Sequence, residues 1–432
     1  METRRGDAAS TVQKTTFVWG EQNMNEQQNS RLWARWRRAA RSAVTATAVS
    51  LGVAALAVGF SAGAAVAGVG VAERGTSNAA FAAAPVAQVA AGDLHTCAIR
   101  TDGTLWCWGD NYGGKLGDGT TTNRTSPVQV GTGTTWSRVD AGTSHNCAIR
   151  ADGTLWCWGG NYSGQLGDGT TTSRSTPVQV GTATTWAGVS AGANHTCAVQ
   201  TAGTLWCWGL NRNAQLGVGT SPSRATSPVQ VGTATTWASV TTGYAHSCAV
   251  QTNGTLWCWG DSTDGQLGVG ILGYRATPAQ VGTATTWAGV TAGHAHTCAV
   301  RTDGTLWCWG ENGYGQVGGG TGVQTSPIQV GTATTWTRVE ASVDSSCALR
   351  TDGGLWCWGN NGFGQLGDGT TTHRSAPVRV GTATTWTQNL AVSYHSCGVR
   401  TDGGLWCWGN NMSGQLGDGT TTHRSTPAQL VL

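Results

Sequence analysis

One pattern of hydrophobic and polar positions recurs from about Val86 to the C-terminus of this 432-residue chain, with a period of about 50 residues. Its clearest copy covers residues 136–180, where four short apolar runs are separated by turns rich in Gly, Asp and Thr. The pattern predicts four strands per unit, here at residues 136–140, 145–150, 154–158 and 177–180. No helical period of about 3.6 residues competes with it.

Seven such units follow one another. A strand-rich unit that repeats at about 40 to 50 residues is typical of propeller blades, and seven is a common number of blades. We therefore predict an all-β fold, a seven-bladed β-propeller. The run Leu155 to Trp158 is apolar on both faces, as expected for a strand that lies between two neighbouring blades, so we expect its tryptophans to pack between blades rather than to stack on sugars.

Each unit also carries two cysteines separated by nine residues, and none is left over. The turn at residues 151–153 reads as a hairpin loop with a left-handed glycine, which places Cys147 opposite Cys157. Opposed β-carbons lie about 4.5 to 5.5 Å apart, so a disulfide there needs some local adjustment. A zinc site competes, but one hairpin offers two ligands at an unusual spacing. We predict seven disulfides: Cys97 with Cys107, Cys147 with Cys157, Cys197 with Cys207, Cys248 with Cys258, Cys298 with Cys308, Cys347 with Cys357 and Cys397 with Cys407.

The N-terminal segment has the order typical of an export signal. Arginines crowd together before an uncharged stretch at residues 43–72, and Ala65, Val66 and Ala67 offer a cleavage site. We expect an export region at residues 1–67, a linker at 68–85 and the propeller at 86–432, with the protein extracellular or on the cell surface. An uncleaved membrane anchor and a translation start at Met24 instead of Met1 are the alternatives.

Charge argues against nucleic acid as a partner. The first 75 residues hold nine basic and five acidic side chains, which leaves sixteen basic against seventeen acidic in the rest of the chain. A nucleic-acid binder needs a basic surface to neutralise phosphates, and the repeats supply none.

Two sequence blocks carry a family resemblance. The segment A-G-A-N-H-T-C-A-V-Q begins at Ala191, and W-G-x-N-x-x-G-Q-L-G-D-G-T occurs at residues 158–170 and again at 408–420. The chain resembles the regulator of chromosome condensation repeat family over all seven units, which implies a seven-bladed propeller. That family includes a nuclear exchange factor for a small GTPase and secreted members such as a propeller-type β-lactamase inhibitor. The export signal, the W-C-W strand and the paired cysteines depart from the nuclear members and argue against nucleotide exchange.

The repeated polar residues predict structural roles rather than chemistry. A catalytic residue is rarely needed in every blade of a ring, so we expect each repeated histidine to make a structural hydrogen bond and each repeated aspartate to hold a turn. A cation bound in the aspartate loop is the alternative. No catalytic motif accompanies them, so we predict no enzyme activity, no cofactor and no metal. The histidines are His95, His145, His195, His246, His296 and His395, with Ser345 in the sixth unit, and the aspartates are Asp118, Asp168, Asp368 and Asp418.

Two connections in each unit vary while the others barely change. They are the loop before H-x-C and the loop after W-C-W-G, and with four up-and-down strands both emerge at the same end of a blade. Their Tyr, Phe, Met and Arg residues are types enriched in protein interfaces, so we predict a binding face there. Its candidate residues are Leu94, Tyr112, Tyr162, Arg212, Tyr244, His294, Tyr314, Phe363, Tyr394 and Met412.

The sequence therefore favours a monomeric, extracellular, non-enzymatic propeller that binds a protein, as an inhibitor or an adaptor. A carbohydrate or cell-wall lectin with repeated pockets is the second hypothesis, and a structural surface protein without a discrete ligand is the third. Guanine-nucleotide exchange rests on the resemblance alone. The partner, signal cleavage and the way in which the ring closes stay open at this point.

Overall fold

The computed structural model of the protein describes residues 84–133 and 135–432. The predicted export region at 1–67 and nearly all of the predicted linker at 68–85 lie outside the described residues. Within them, 28 strands form seven antiparallel four-stranded sheets, which are the blades of a closed ring. The predicted all-β, seven-bladed propeller is confirmed.

Each blade is formed by four consecutive strands that pair in chain order. Blades 1 and 2 comprise β1 Val86–Ala91, β2 His95–Arg100, β3 Leu105–Gly109, β4 Arg124–Gln129, β5 Trp136–Ala141, β6 His145–Arg150, β7 Leu155–Gly159 and β8 Arg174–Gln179, with a 3-10 turn at Tyr112–Gly114. Blades 3 and 4 comprise β9 Trp186–Ala191, β10 His195–Gln200, β11 Leu205–Leu210, β12 Arg224–Gln230, β13 Trp237–Thr242, β14 His246–Gln251, β15 Leu256–Ser262 and β16 Gly273–Gln280. Blades 5 to 7 comprise β17 Trp287–Ala292, β18 His296–Arg301, β19 Leu306–Gly310, β20 Gln324–Gln329, β21 Trp336–Ala341, β22 Ser345–Arg350, β23 Leu355–Gly359, β24 Arg374–Arg379, β25 Trp386–Val392, β26 His395–Arg400, β27 Leu405–Gly409 and β28 Arg424–Leu430.

The outer strand of each blade begins earlier than the sequence predicted. In blade 2 it starts at Arg174 rather than at Pro177. The register of β8 against β7 shifts between Cys157 and Gly159, so that Arg174 pairs with Gly159. Proline is tolerated inside this strand because the outermost strand of a sheet has one edge without a neighbouring strand.

The predicted hairpins and disulfides are confirmed. Gly153 has φ 76°, and its amide donates to the Arg150 carbonyl at 2.9 Å. Cys147 pairs with Cys157 across β6 and β7, and all seven predicted pairs are disulfide-bonded with Cα–Cα distances of 4.0 to 4.1 Å. These Cα–Cα distances are shorter than the about 4.5 Å of a non-hydrogen-bonded antiparallel pair, so the two strands approach each other closely at the disulfide. Because no cysteine is free, the zinc alternative is wrong.

Neighbouring blades are joined through one backbone carbonyl of the G-Q-L-G segment. The Gln165 carbonyl of blade 2 accepts hydrogen bonds from Trp208 Nε1 at 2.9 Å and Thr196 Oγ1 at 2.8 Å, both on blade 3. The second tryptophan of every W-C-W strand is fully buried and donates to the preceding blade in this way, which confirms its predicted packing role. These residues are Trp108, Trp158, Trp208, Trp259, Trp309, Trp358 and Trp408.

The ring closes by the same contact. Trp108 of blade 1 donates to the Gln415 carbonyl of blade 7 at 2.9 Å, and β1 packs against β25 and β26. Every blade is therefore built from one contiguous segment, and no strand is exchanged between the first and the last blade.

The repeated histidines are buried between blades and make the predicted structural hydrogen bonds. His145 Nε2 lies 2.8 Å from Thr196 Oγ1 of the next blade, and the other five histidines make the equivalent contact. A Cβ at Gly142 would lie 3.0 Å from the His145 ring, so this glycine leaves room for the imidazole. In blade 6, Ser342 and Ser345 replace glycine and histidine together, and their hydroxyls lie 2.9 Å apart.

Because these histidines are buried, we expect the protein to become less stable in acid. Burial lowers the pKa of His145, His195, His246, His296 and His395 to about 3 and, together with Lys115, that of His95 to about 4. The unfolded chain takes up these protons near pH 6.5, so the free energy of unfolding should fall as the pH drops from about 6.5 towards the pKa values of the folded state.

Urea unfolding midpoints at pH 7.5, 6 and 5 measure this dependence. His195→Ser, which copies Ser345 of blade 6, should show a shallower dependence on pH than the parent protein. Midpoints that are equal at pH 7.5 and pH 5 would contradict the assignment.

Candidate functional site

Two connections of each blade emerge at one end of the ring, which we call the upper face. They link the first strand to the second and the third to the fourth, while the second-to-third hairpins and the links between blades lie at the opposite end, the lower face. All ten candidate residues of the sequence lie in upper-face connections: Leu94, Tyr112, Tyr162, Arg212, Tyr244, His294, Tyr314, Phe363, Tyr394 and Met412.

A repeated asparagine and aspartate shape the longer upper connection. In blade 2, Asn161 Oδ1 accepts from the Leu166 amide at 3.0 Å, and Asn161 Nδ2 donates to Asp168 Oδ1 at 3.1 Å. Asp168 also accepts from the Thr170 amide at 3.0 Å and pairs with Arg174 at 2.8 Å. The equivalent contacts in blades 1, 6 and 7 confirm the predicted turn role of these aspartates. The Arg174 guanidinium is thus a cationic partner of this carboxylate within the protein itself.

The candidate residues differ in how far they reach into solvent. Tyr112, Tyr162, Tyr244 and Met412 are 67%, 55%, 52% and 65% exposed, and Arg212 is exposed as well. The others are half-buried: Leu94, His294, Tyr314, Phe363 and Tyr394. The exposed side chains are therefore the ones that a partner would meet first.

Aromatic side chains of the upper face meet in groups across blade boundaries. The hydroxyls of Tyr112 and Tyr162 lie 3.4 Å apart, which joins blades 1 and 2. The rings of Tyr244 and His294 lie 5.1 Å apart and join blades 4 and 5. Further ring contacts join blades 5 to 7: Tyr314 with His373 at 5.0 Å, Phe363 with Tyr394 at 6.3 Å and Phe363 with His423 at 5.3 Å.

One contact crosses the ring at the upper mouth of the central channel. His294 Nε2 of blade 5 lies 3.7 Å from Asp93 Oδ1 of blade 1, and these blades are not neighbours.

The channel below holds charged residues that break the repeat. Its cavity of about 180 Å³ is lined by the first strand of every blade. Arg338 Nε donates to Glu340 Oε1 at 2.8 Å, and Asp140 Oδ2 accepts from the Ala191 amide at 2.7 Å. Burial, followed by the nearby charge of Glu340, raises the pKa of Asp140 to about 6, although the Ala191 hydrogen bond opposes this.

Sequence reasoning missed two features of this end of the molecule. In the sequence, Asp140 and Glu340 belong to different units about two hundred residues apart, whereas ring closure brings blades 2 and 6 to one channel. Sequence reasoning also passed over Ile271, Leu272 and Tyr274 of blade 4, which are exposed on the upper rim. The signal was present, because I-L-G-Y in blade 4 replaces T-T-T-N of blade 1.

Residues 84–133 and 135–432 contain no cluster of three or more His, Cys, Asp or Glu side chains that could hold a metal ion. Over the same residues, no helix has the length and apolar character needed to cross a membrane.

Sequence comparison places these repeats in a known family. The profile of the regulator of chromosome condensation (RCC1) repeat matches residues 102–149, 152–199, 202–250, 253–300, 303–349, 352–400 and 402–432. The chain therefore belongs to the RCC1 repeat family. A search of curated proteins found no match.

Solved structures share the fold at low sequence identity. Human WBSCR16 superimposes with a TM-score of 0.68 and 20% identity, covering 76% of this chain and 94% of its own. Prp20p from Saccharomyces cerevisiae superimposes with a TM-score of 0.66 and 20% identity, covering 80% and 86%. A chain of the structure of Kap60 bound to yeast RCC1 (Prp20) gives 0.66 and 19%, covering 82% and 86%.

The raised pKa of Asp140 predicts that removing its charge stabilises the folded protein, and that the gain depends on pH. The pKa of its carboxyl is raised on folding, so it favours the folded state at low pH and this contribution is lost as the pH rises through about 6. Asp140→Asn should therefore raise the urea midpoint more at pH 8 than at pH 5. Asp152→Asn, at an exposed hairpin, is the control, and an equal shift for both variants would count against the assignment.

Proposed function

We propose that this chain is a non-enzymatic, extracellular protein-binding propeller whose upper face holds a partner protein, which it inhibits or links to other components. The observation that carries the proposal is the distribution of exposed large apolar side chains. Of the ten in the part of the chain that the structure describes, eight lie in upper connections or directly after one, namely Tyr112, Tyr162, Tyr244, Ile271, Leu272, Tyr274, Val323 and Met412, and the others are Val229 and Val431. Such a concentration on one face is typical of an interaction surface.

The setting supports an exported protein. Seven intrachain disulfides suggest an oxidising compartment, since such bonds persist outside the reducing cytosol. The same bonds disfavour exchange on a cytosolic GTPase. Proteins with this fold bind other proteins. Kap60 is bound to yeast RCC1 (Prp20) in one solved structure, and another concerns the binding properties of Prp20p to Gsp1p and histones.

The lectin hypothesis receives less support from the tryptophans. The first tryptophan of the W-C-W strand is half-buried, and in blade 2 its ring, that of Trp156, lies 4.1 Å below the Arg150 guanidinium. Its indole nitrogen donates to Thr154 Oγ1 at 2.9 Å. A sugar would have to displace these contacts, and the exposed upper-face residues differ from blade to blade and so do not form equivalent pockets.

A capture experiment tests the proposal. The oxidised protein is immobilised and exposed to the extracellular fraction of the producing cells, and bound proteins are identified and quantified by mass spectrometry. We expect one protein at near-equal stoichiometry. The variant Tyr112→Ser, Tyr162→Ser, Tyr244→Ser, Met412→Ser should lose at least about tenfold of the captured protein, because large aromatic side chains contribute most of the binding energy at interfaces.

Val229→Ser, Val431→Ser is the matched control, because it removes exposed apolar side chains outside the upper face. Both variants should keep the thermal midpoint of the parent. Undiminished capture by the folded upper-face variant would refute the proposal, and capture of glycans alone would favour the lectin hypothesis.

A further inference from the structure

We propose that the upper face of blades 4 to 6 docks a basic protein segment that carries apolar side chains. This inference rests on the proposed function and names the chemistry of the partner. It is carried by two properties of this part of the ring: an exposed apolar connection in blade 4 and a local excess of negative charge around it.

The apolar connection is special to blade 4. Ile271, Leu272 and Tyr274 are 40%, 57% and 58% exposed, and the aligned residues of blade 1 are Thr120, Thr121 and Asn123. Leaving large apolar side chains in water forfeits the free energy that their burial would contribute. The polar version in blade 1 also forms a stable turn, so the fold itself does not require apolar residues here.

The connection is held in place rather than loosely attached. β16 is the longest strand of the ring with eight residues, because it extends into this connection and pairs Tyr274 with Asp261 and Gly273 with Ser262. Ser262 Oγ donates to the Ile271 carbonyl at 3.2 Å, and the Gly270 amide donates to the outer strand of blade 5. A fixed apolar surface loses little conformational entropy when it is covered.

The surrounding charge selects the partner. In blades 4 to 6, the upper connections and the strand ends beside them hold five acidic residues and two arginines: Asp261, Asp264, Glu311, Asp344 and Asp368, with Arg275 and Arg374. In blades 2 and 3, the same regions hold three arginines and one acidic residue: Arg174, Arg212 and Arg224, with Asp168. The face is therefore polarised, and its apolar connection lies on the acidic side.

Charge complementarity then identifies the occupant. A segment with lysine or arginine beside apolar residues would cover Ile271 and Leu272, neutralise the acidic side and place cations against Tyr244 and Tyr274. Arg275 lies in β16 and donates to the Tyr274 carbonyl at 3.4 Å, and it is the one lysine or arginine in β15, β16 and the connection between them. An acidic segment would meet like charge and is disfavoured.

The test uses defined peptides and the whole oxidised protein. Two fluorescent 16-residue peptides of equal apolar content, one with six lysines and one with six glutamates, are titrated at 50 and 300 mM NaCl with fluorescence anisotropy as the readout. We expect the lysine peptide to bind, the glutamate peptide not to bind, and the affinity to fall about tenfold at the higher salt.

Two variants separate the apolar and the charge contributions. Ile271→Thr, Leu272→Thr, Tyr274→Asn copies blade 1, and Asp261→Asn, Asp264→Asn, Glu311→Gln, Asp344→Asn neutralises the acidic side. Each should weaken binding of the lysine peptide by about tenfold. The control Asp102→Asn, Asp152→Asn, Asp303→Asn, Asp352→Asn removes four carboxylates from the lower face and should stay within about twofold of the parent.

Equal binding of both peptides, or no binding of the lysine peptide up to 1 mM, would overturn the inference. An affinity for the lysine peptide that is unchanged in either upper-face variant would overturn it as well. Self-association that the apolar variant abolishes would identify a second copy of this chain as the occupant and would also overturn it. The capture experiment separates this inference from the proposed function. If the upper-face aromatic variant loses the extracellular partner but the variant with neutralised acidic residues captures it as well as the parent does, the proposed function stands and this inference fails.

Discussion

The ring depends on a backbone carbonyl that serves two donors at every blade boundary. Gln165 O and its six equivalents accept an indole N–H and a hydroxyl or amide from the following blade. A shift of one blade against the next that kept the indole nitrogen buried but broke its hydrogen bond would cost about 1 to 3 kcal/mol. The histidine contact beside it adds a second buried polar link, so the spacing and tilt of neighbouring blades are set at one level of the ring.

This constraint explains which parts of the unit vary. The segments G-Q-L-G, H-x-C and W-C-W meet at the blade boundary and therefore stay nearly constant from unit to unit. Blade 6 departs from this pattern, because Ser342 and Ser345 replace the glycine and the histidine and pair with each other. The upper connections project beyond this level, so their side chains differ without disturbing the ring. Diversity and exposure consequently coincide on one face.

The difference between contacts that repeat in every unit and contacts that occur once also separates what the sequence predicts from what it cannot predict. Strand order, hairpins, disulfides and the buried tryptophans are local or depend on contacts that repeat in every unit, so one period contains the information. The start of the outer strand was misplaced because the register shift near Gly159 is a backbone feature that side-chain pattern does not encode. The positions of Tyr112, Tyr162 and Tyr244 on the upper face followed from the up-and-down order, but their mutual contacts depend on the spacing of the blades around the ring.

Contacts across the ring lie beyond any analysis of a single unit. Asp93 and His294 are about two hundred residues apart in the chain, and only closure of seven blades brings them to 3.7 Å. A residue repeated in every blade generates a symmetric ring, and a symmetric ring has no preferred side. Asp93, Asp140, Glu340 and the apolar connection of blade 4 break the repeat, and each breaks it at the channel or the upper face. Specific recognition by a near-symmetric propeller must come from such exceptions, because only they distinguish one direction of approach from another.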